Sequence, residues 1–193
     1  MRVLKSLVMM VTLAMGTAAM GQEIGDDGLH KQPWFADTFL DMGEDLAEAA
    51  AQGKDLLIII EQRGCPYCKE MHEVNFARAE IVDLITSNYM VVQLNMWGDR
   101  EVVDFDGAEM TEKALVRRWG VSFTPTTLFF AADAAPEEAL VFMLPGYFKP
   151  FHHARALEYV ATDAYKDEPN FQRFVQARGD EMRAAGIEVE IWQ

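Results

Sequence analysis

Cysteine is scarce in this chain, which has only two in 193 residues. Exported proteins that depend on disulfides for stability usually carry several pairs. The one available pair, Cys65 and Cys68, would close a very short loop, which restricts the unfolded chain little. A structural zinc site needs two further ligands, and the sequence contains no second Cys-x-x-Cys and no His-x-x-x-His. The pair is therefore expected to be made and broken rather than to staple the chain or hold zinc.

Positive charge is also in short supply. The chain has 17 Lys and Arg against 31 Asp and Glu, a formal net charge of −14. Such a surface repels phosphate backbones and anionic lipid. We therefore expect no nucleic-acid partner.

Long apolar runs are missing except near the start of the chain. Arg2 and Lys5 precede an apolar stretch from Leu7 to Ala19, and small residues follow at 19–21. This order is typical of a secretory signal peptide, predicted here over residues 1–21. About 13 apolar residues are too few to cross a hydrocarbon core that needs roughly 20. We expect an exported, periplasmic protein without stable membrane insertion.

The remaining length suits a single domain. Residues 22–33 are polar and glycine-containing, and are predicted to be a flexible lead-in. Residues 34–193 are predicted to form one domain, with a core at about 55–165 and a C-terminal helical extension over 166–193. A helix is expected from Trp34 to Gln52, because apolar residues recur there at spacings of three and four, namely Phe35, Phe39, Met42 and Leu46.

The centre of the chain alternates predicted strands and helices. Leu56 to Ile60 is a continuous aliphatic run, which indicates a strand buried on both faces. A helix should begin at Cys65 with Pro66 in its first position, where a missing N–H does no harm. The other expected elements are a helix over 81–86, a strand over 90–95, an acidic insert over 98–110, a helix capped by Thr111, strands over 126–131 and 140–144, and helices over 149–164 and 169–185.

Cys65 and Cys68 occupy unequal positions on the predicted helix. At its N-terminus, unpaired N–H groups and the helix dipole favour a thiolate on Cys65. Cys68 lies one turn further in and is more shielded. Thiol–disulfide exchange uses such a pair, because Cys65 attacks a partner disulfide and Cys68 resolves the mixed disulfide. No cofactor is expected beyond this redox-active pair.

A second motif, Thr124-Pro125-Thr126, enters an apolar strand, although proline cannot donate to a β-ladder. With the stretch 117–126 around it, the sequence resembles the thioredoxin superfamily. The resemblance implies an α/β thioredoxin fold, a central mixed β-sheet flanked by helices, here with an N-terminal helix and the C-terminal extension. It also implies a cis Pro125 facing the cysteines and a Thr124 whose backbone meets the substrate. Pro66 and Tyr67 complete the predicted substrate-binding set.

Further motifs resemble the periplasmic SoxW-type thioredoxins, bacterial relatives associated with sulfur oxidation. They are the stretch 60–71 around the cysteines, the acidic insert at 104–107, and residues 144–147 before the last helices. The similarity extends from about Asp55 to Tyr165. Pro66-Tyr67 is, however, the dipeptide of glutaredoxins rather than the Gly-Pro of thioredoxin.

One position departs from the family pattern. Thioredoxins keep a buried carboxylate six residues before the first cysteine, and Ile59 stands there in this chain. Glu61 lies on the same strand face and is the candidate proton acceptor for Cys68; the alternative is a solvated charge at the strand end. His72, one turn after Cys68, is a second candidate base, although a surface histidine is the simpler interpretation.

The leading hypothesis is a periplasmic thiol:disulfide oxidoreductase that reduces exported partner proteins and receives electrons from a membrane-embedded thiol donor. A disulfide isomerase or oxidase of the same fold is one alternative, since the redox poise is not legible from the sequence. The other is a Cu(I)-binding module, in which the two thiolates and His72 would suit a soft ion.

Overall fold

The computed structural model describes residues 23–189. The predicted signal peptide, residues 1–21, lies outside the described residues. In chain order the elements are β1 (Glu23–Ile24), β2 (His30–Lys31), α1 (Met42–Ala51), β3 (Asp55–Glu61), α2 (Pro66–Glu70) with a π-helical turn (Met71–Asn75), α3 (Ala79–Asn88), β4 (Tyr89–Asn95), β5 (Glu101–Val103), β6 (Glu109–Thr111), α4 (Glu112–Arg118), β7 (Thr126–Phe130), a 3-10 turn (Pro136–Glu138), β8 (Leu140–Pro145), α5 (Pro150–Ala161), α6 (Ala164–Asp167) and α7 (Phe171–Ala184).

A four-stranded mixed sheet in the order β4-β3-β7-β8 forms the centre of the molecule. β3 pairs in parallel with β4, Ile58 opposite Val92, and antiparallel with β7, Ile58 opposite Leu128. β7 and β8 form the predicted antiparallel hairpin. The expected α/β fold, a central mixed sheet flanked by helices, is confirmed.

The aliphatic run of β3 is buried on both faces, as its composition predicts. Ile58 and Ile60 pack in one apolar cluster with α1 and α4, whereas Leu57 and Ile59 pack in a second with α3 and α5. Each of these side chains has no exposed surface, and burial of one such side chain stabilises the fold by roughly 1.5–3 kcal/mol. The sheet therefore fixes the position of Cys65, which follows β3 directly.

The N-terminal helix is shorter than predicted. The expected helix over 34–52 is wrong at its start, because α1 begins only at Met42. Asp41 caps it by accepting hydrogen bonds from the N–H groups of Gly43 and Glu44. Leu40 has a φ of 60°, outside helical backbone. Phe35 instead bridges to Val91 at the sheet edge.

The segment before α1 is also different from its prediction. Instead of a flexible lead-in, residues 23–31 form a small antiparallel hairpin of β1 and β2. Leu29 is buried, and Lys31 Nζ donates to Gln93 Oε1 at 2.7 Å. This hairpin, continued by residues 32–36, lies across the domain beside α2.

The acidic insert and the C-terminal region hold more structure than the sequence indicated. β5 and β6 form a second small hairpin that leads into α4, which Thr111 caps as predicted. The C-terminal region contains α5, α6 and α7. No helix within residues 23–189 has both the length and the apolar character to cross a membrane.

Candidate active site

The two cysteines lie at the start of α2, where β3 ends. Cys65 is the N-cap residue and Pro66 occupies the first turn. Cys65 and Cys68 form a disulfide, and the Cys68 N–H donates to Cys65 Sγ at 3.1 Å. Cys65 is 5% exposed and Cys68 1%. The predicted order of accessibility is thus present, although both sulfurs are largely covered.

The Thr124–Pro125 segment faces Cys65. The peptide bond between these residues is cis, as the resemblance implied. The carbonyl oxygen and Oγ1 of Thr124 each lie 3.5 Å from Cys65 Sγ. The Gly146 N–H donates to the Pro125 carbonyl at 2.7 Å, which ties this segment to the end of β8. The chain thus presents backbone polar groups beside the sulfur at which a substrate disulfide would be attacked.

Tyr67 lies on the opposite side of the cysteines from Thr124 in sequence and is 57% exposed. Its ring stacks on Tyr147 with centroids 6.1 Å apart, and Lys149 Nζ lies 5.6 Å from the Tyr147 centroid. Partial burial, aided by Glu70, raises the pKa of Tyr147 to about 12. Tyr147 therefore keeps its hydroxyl proton at neutral pH and donates it to Asn75 Oδ1 at 3.2 Å.

Glu61 is completely buried at the end of β3. Its two carboxylate oxygens lie 3.0 and 3.3 Å from His72 Nε2. The Gln93 amide donates a further hydrogen bond to the same carboxylate. The alternative of a solvated charge is therefore wrong, because both oxygens are engaged inside the protein.

His72 is buried as well, so its interpretation as a surface histidine is wrong. It lies in the π-helical turn that continues α2, and is 2% exposed. Gln32 Nε2 lies 3.0 Å from His72 Nδ1, and His30 and Phe35 pack against the ring. With the Gln32 amide as donor, Nδ1 accepts and the proton is assigned to Nε2, facing Glu61. The covering residues are some 40 positions away in sequence, which is why local reasoning missed the burial.

The residues of this network that sequence reasoning missed are Gln93 and the hairpin that supports it. Gln93 is 6% exposed. Its amide also donates to the His30 carbonyl at 2.8 Å, and its own oxygen accepts from Lys31. A signal was available, since Gln93 is the one polar residue inside the otherwise apolar run 90–94. A buried amide in such a strand needs polar partners.

Comparison with known proteins places the chain in a family. The model of the thioredoxin-like domain matches residues 42–161. This chain belongs to the thioredoxin-like family. With its Cys65–Cys68 disulfide at the start of α2, this thioredoxin-like protein is a thiol–disulfide oxidoreductase.

Solved structures carry the same fold. A thioredoxin-fold protein from Helicobacter pylori is 19% identical, covers 76% of this chain and 92% of its own, and superposes with a TM-score of 0.58. A thioredoxin from Thermus thermophilus is 24% identical over 61% of this chain and 81% of its own, with a TM-score of 0.49. The DsbD C-terminal domain of Neisseria meningitidis is 17% identical over 64% and 96%, with a TM-score of 0.45. No curated protein matches the sequence.

The geometry of His72 bears on the copper alternative. Both ring nitrogens of this thioredoxin-like protein's His72 already face partners, Glu61 and Gln32. Within residues 23–189 no three His, Cys, Asp or Glu side chains are grouped so as to hold a metal ion. His72 is therefore unsuited to join the cysteines as a copper ligand.

Proposed function

We propose that this protein reduces disulfides of specific exported proteins through Cys65 and Cys68. The observation that carries the proposal is the position of Cys65, at the start of a helix and 3.5 Å from the polar groups of Thr124. A substrate chain running past cis Pro125 would place its disulfide against the Cys65 sulfur. Pro66 and Tyr67 would form the other side of that contact.

The exchange proceeds in two balanced steps. The Cys65 thiolate attacks one sulfur of the partner disulfide, forming a mixed disulfide and releasing the other partner sulfur as a thiolate. Cys68 then loses its proton and attacks Cys65 Sγ, which releases the second partner sulfur. Two electrons pass to the partner, and the protein is left with the Cys65–Cys68 disulfide seen here.

We assign the Cys68 proton to the Glu61–His72 pair. Cys68 is 1% exposed, so bulk water has poor access to its thiol. The strand that ends in Glu61 and the helix that carries Cys68 are joined by the Glu61–His72 contact of 3.0 Å. Glu61 accepts the proton, and His72, one turn after Cys68 on the same helix, orients and shares it.

The finer assignment is a periplasmic reductase of the SoxW type, folded as one domain over 34–193 and recharged by a membrane-embedded thiol donor. The signal-like residues 1–21 and the resemblance over 55–165 support it. Oxidase and isomerase activity are the alternatives within the same chemistry. The equilibrium potential against glutathione separates them, since a reductase is expected near −270 mV and an oxidase near −120 mV, about 7 kcal/mol apart.

The test of the activity is single-turnover reduction of a disulfide-bonded protein by the pre-reduced chain, with no added reductant. Substrate thiols should appear in step with formation of the Cys65–Cys68 disulfide. Cys65→Ser should abolish the reaction because it removes the attacking sulfur. A wild-type protein that is fully reduced and folded yet reduces no substrate would overturn the proposal.

A further inference from the structure

A shallow groove of about 260 Å³ lies between α4 and the segments that follow β4 and α4. Trp97 and Met96 line one wall, and Val121 and Ser122 line the other. Lys113 and Arg117 of α4 reach into it. Trp97 is 58% exposed, so an apolar ring is available at the rim.

Both walls of this groove lead directly to Cys65. Ser122 is followed by Phe123, which is 66% exposed, and then by Thr124, whose polar groups contact Cys65 Sγ. On the other side, Trp97 Nε1 donates to Gln62 Oε1 at 2.6 Å. The Gln62 carbonyl in turn accepts from the Cys65 N–H at 3.3 Å. A chain bound at Cys65 can therefore continue into the groove.

The charge of the groove is opposite to that of the protein. The chain carries −14 overall, yet the lining residues include two cations and no carboxylate. Neither Lys113 nor Arg117 forms a salt bridge with any carboxylate in residues 23–189, whereas their neighbours Arg100 and Arg118 are both paired. Lys113 Nζ instead lies 5.9 Å from the Trp97 ring centroid. Arg117 and Lys113 are one helical turn apart, so both charges face the same stretch of groove.

We propose that this groove selects partner segments that carry acidic residues next to the disulfide cysteine. Carboxylates of the partner would pair with Lys113 and Arg117, while Trp97 and Phe123 contact its apolar groups. The inference rests on the proposed reductase function and names its substrate class. Distant negative charges of the protein oppose it little at 0.1 M salt, where the screening length is about 10 Å.

The test uses three disulfide-bonded peptides of equal length, whose residues flanking the cysteine are Glu, Gln or Lys. The pre-reduced protein is mixed with each peptide at 0.1 M salt, and the second-order rate constant of reduction is measured. Two surface ion pairs are worth about 1 kcal/mol together, so the Glu peptide should react about fivefold faster than the Gln peptide. The Lys peptide should be the slowest. At 1 M salt the preference should largely disappear.

The charge reversal is then removed from the groove itself. In the double variant Lys113→Gln, Arg117→Gln the Glu-to-Gln rate ratio should fall to about one. A matched control, Lys54→Gln with Arg183→Gln, loses the same charge away from the groove and should keep the wild-type ratio. Lys54 precedes β3, at the end of the sheet opposite Cys65, and Arg183 lies in α7.

Each outcome has one meaning. Equal rates for the three peptides, or a preference that survives in the groove variant, would overturn this inference while leaving the reductase function intact. A loss of preference in the control variant would show that net charge rather than the groove selects the peptide, and would also overturn it. Failure to reduce any peptide would overturn the reductase function, and this inference with it.

Discussion

Replacement of Glu61 by glutamine tests the proton path most directly. The change keeps the size of the side chain and removes only its charge and basicity. Glu61, His72 and Cys68 are all at most 2% exposed, so water is a poor substitute for the lost base. A positioned general base contributes about 10²- to 10⁴-fold. Because His72 remains in place, we expect the lower part of that range, a resolution step about 10- to 100-fold slower, which corresponds to about 1.4–2.7 kcal/mol in its barrier.

The two steps of the reaction separate this effect from a general loss of activity. In a rapid-quench experiment with acid trapping and alkylation, Glu61→Gln should form the Cys65 mixed disulfide at a near wild-type rate and then accumulate it. His72→Gln should show the same build-up. The double variant should be little worse than either single variant, since the two groups are expected to act as one unit.

Glu73→Gln is the matched control. Glu73 neighbours His72 in sequence, but it is exposed and pairs only with Lys69 at 3.5 Å. The same chemical change there should leave both steps unaltered. Urea denaturation of Glu61→Gln should show a folded protein that has lost about 1–3 kcal/mol, from weakened hydrogen bonds to His72 and Gln93. Wild-type rates for both steps in Glu61→Gln would refute the reasoning.

Two further predictions concern the cysteines and the pH dependence of stability. Cys68→Ser should leave a Cys65 thiol that is trapped in mixed disulfides, detectable by mass spectrometry, and in the reduced wild type Cys65 should be alkylated before Cys68; the reverse order would contradict the assignment. Complete burial lowers the pKa of His153 to about 4. The unfolded chain therefore binds a proton that the folded one rejects, and stability from this group is full above about pH 6.5 and falls towards pH 4. His153→Gln should remove that part of the slope in urea denaturation series at pH 4.5 and 7, even though the raised pKa of Asp45, about 6 from burial, acts in the opposite sense in both proteins; an unchanged slope would rule out His153 as its source.

Local sequence determined the elements whose causes are local. The aliphatic run of β3 requires burial on both faces wherever it is placed, and Pro66 fits only the first turn of a helix. Thr111 caps α4 through its own side chain. In each case the deciding interaction joins residues within a few positions of one another, so the pattern could be predicted from the printed sequence.

The start of α1 and the surroundings of His72 depended on distant residues. Apolar spacing continues back to Phe35, yet Phe35 is taken by the sheet edge at Val91 and the helix begins only after Asp41. His72 is on the surface of its own helix until residues 30–35 cover it. Spacing records which face of a segment is apolar; it does not record which other segment will lie against it.

The chemistry of the site divides in the same way. Cys65, Cys68 and the Thr124–Pro125 segment were identifiable from the sequence, because their residue types and spacing are unusual. The burial of Glu61 was decided by tertiary structure alone, since Gln93 and His72, which satisfy its carboxylate, come from a neighbouring strand and a following helix. A carboxylate at a strand end is solvated or buried according to the partners that the fold brings to it, and only the folded chain supplies those partners.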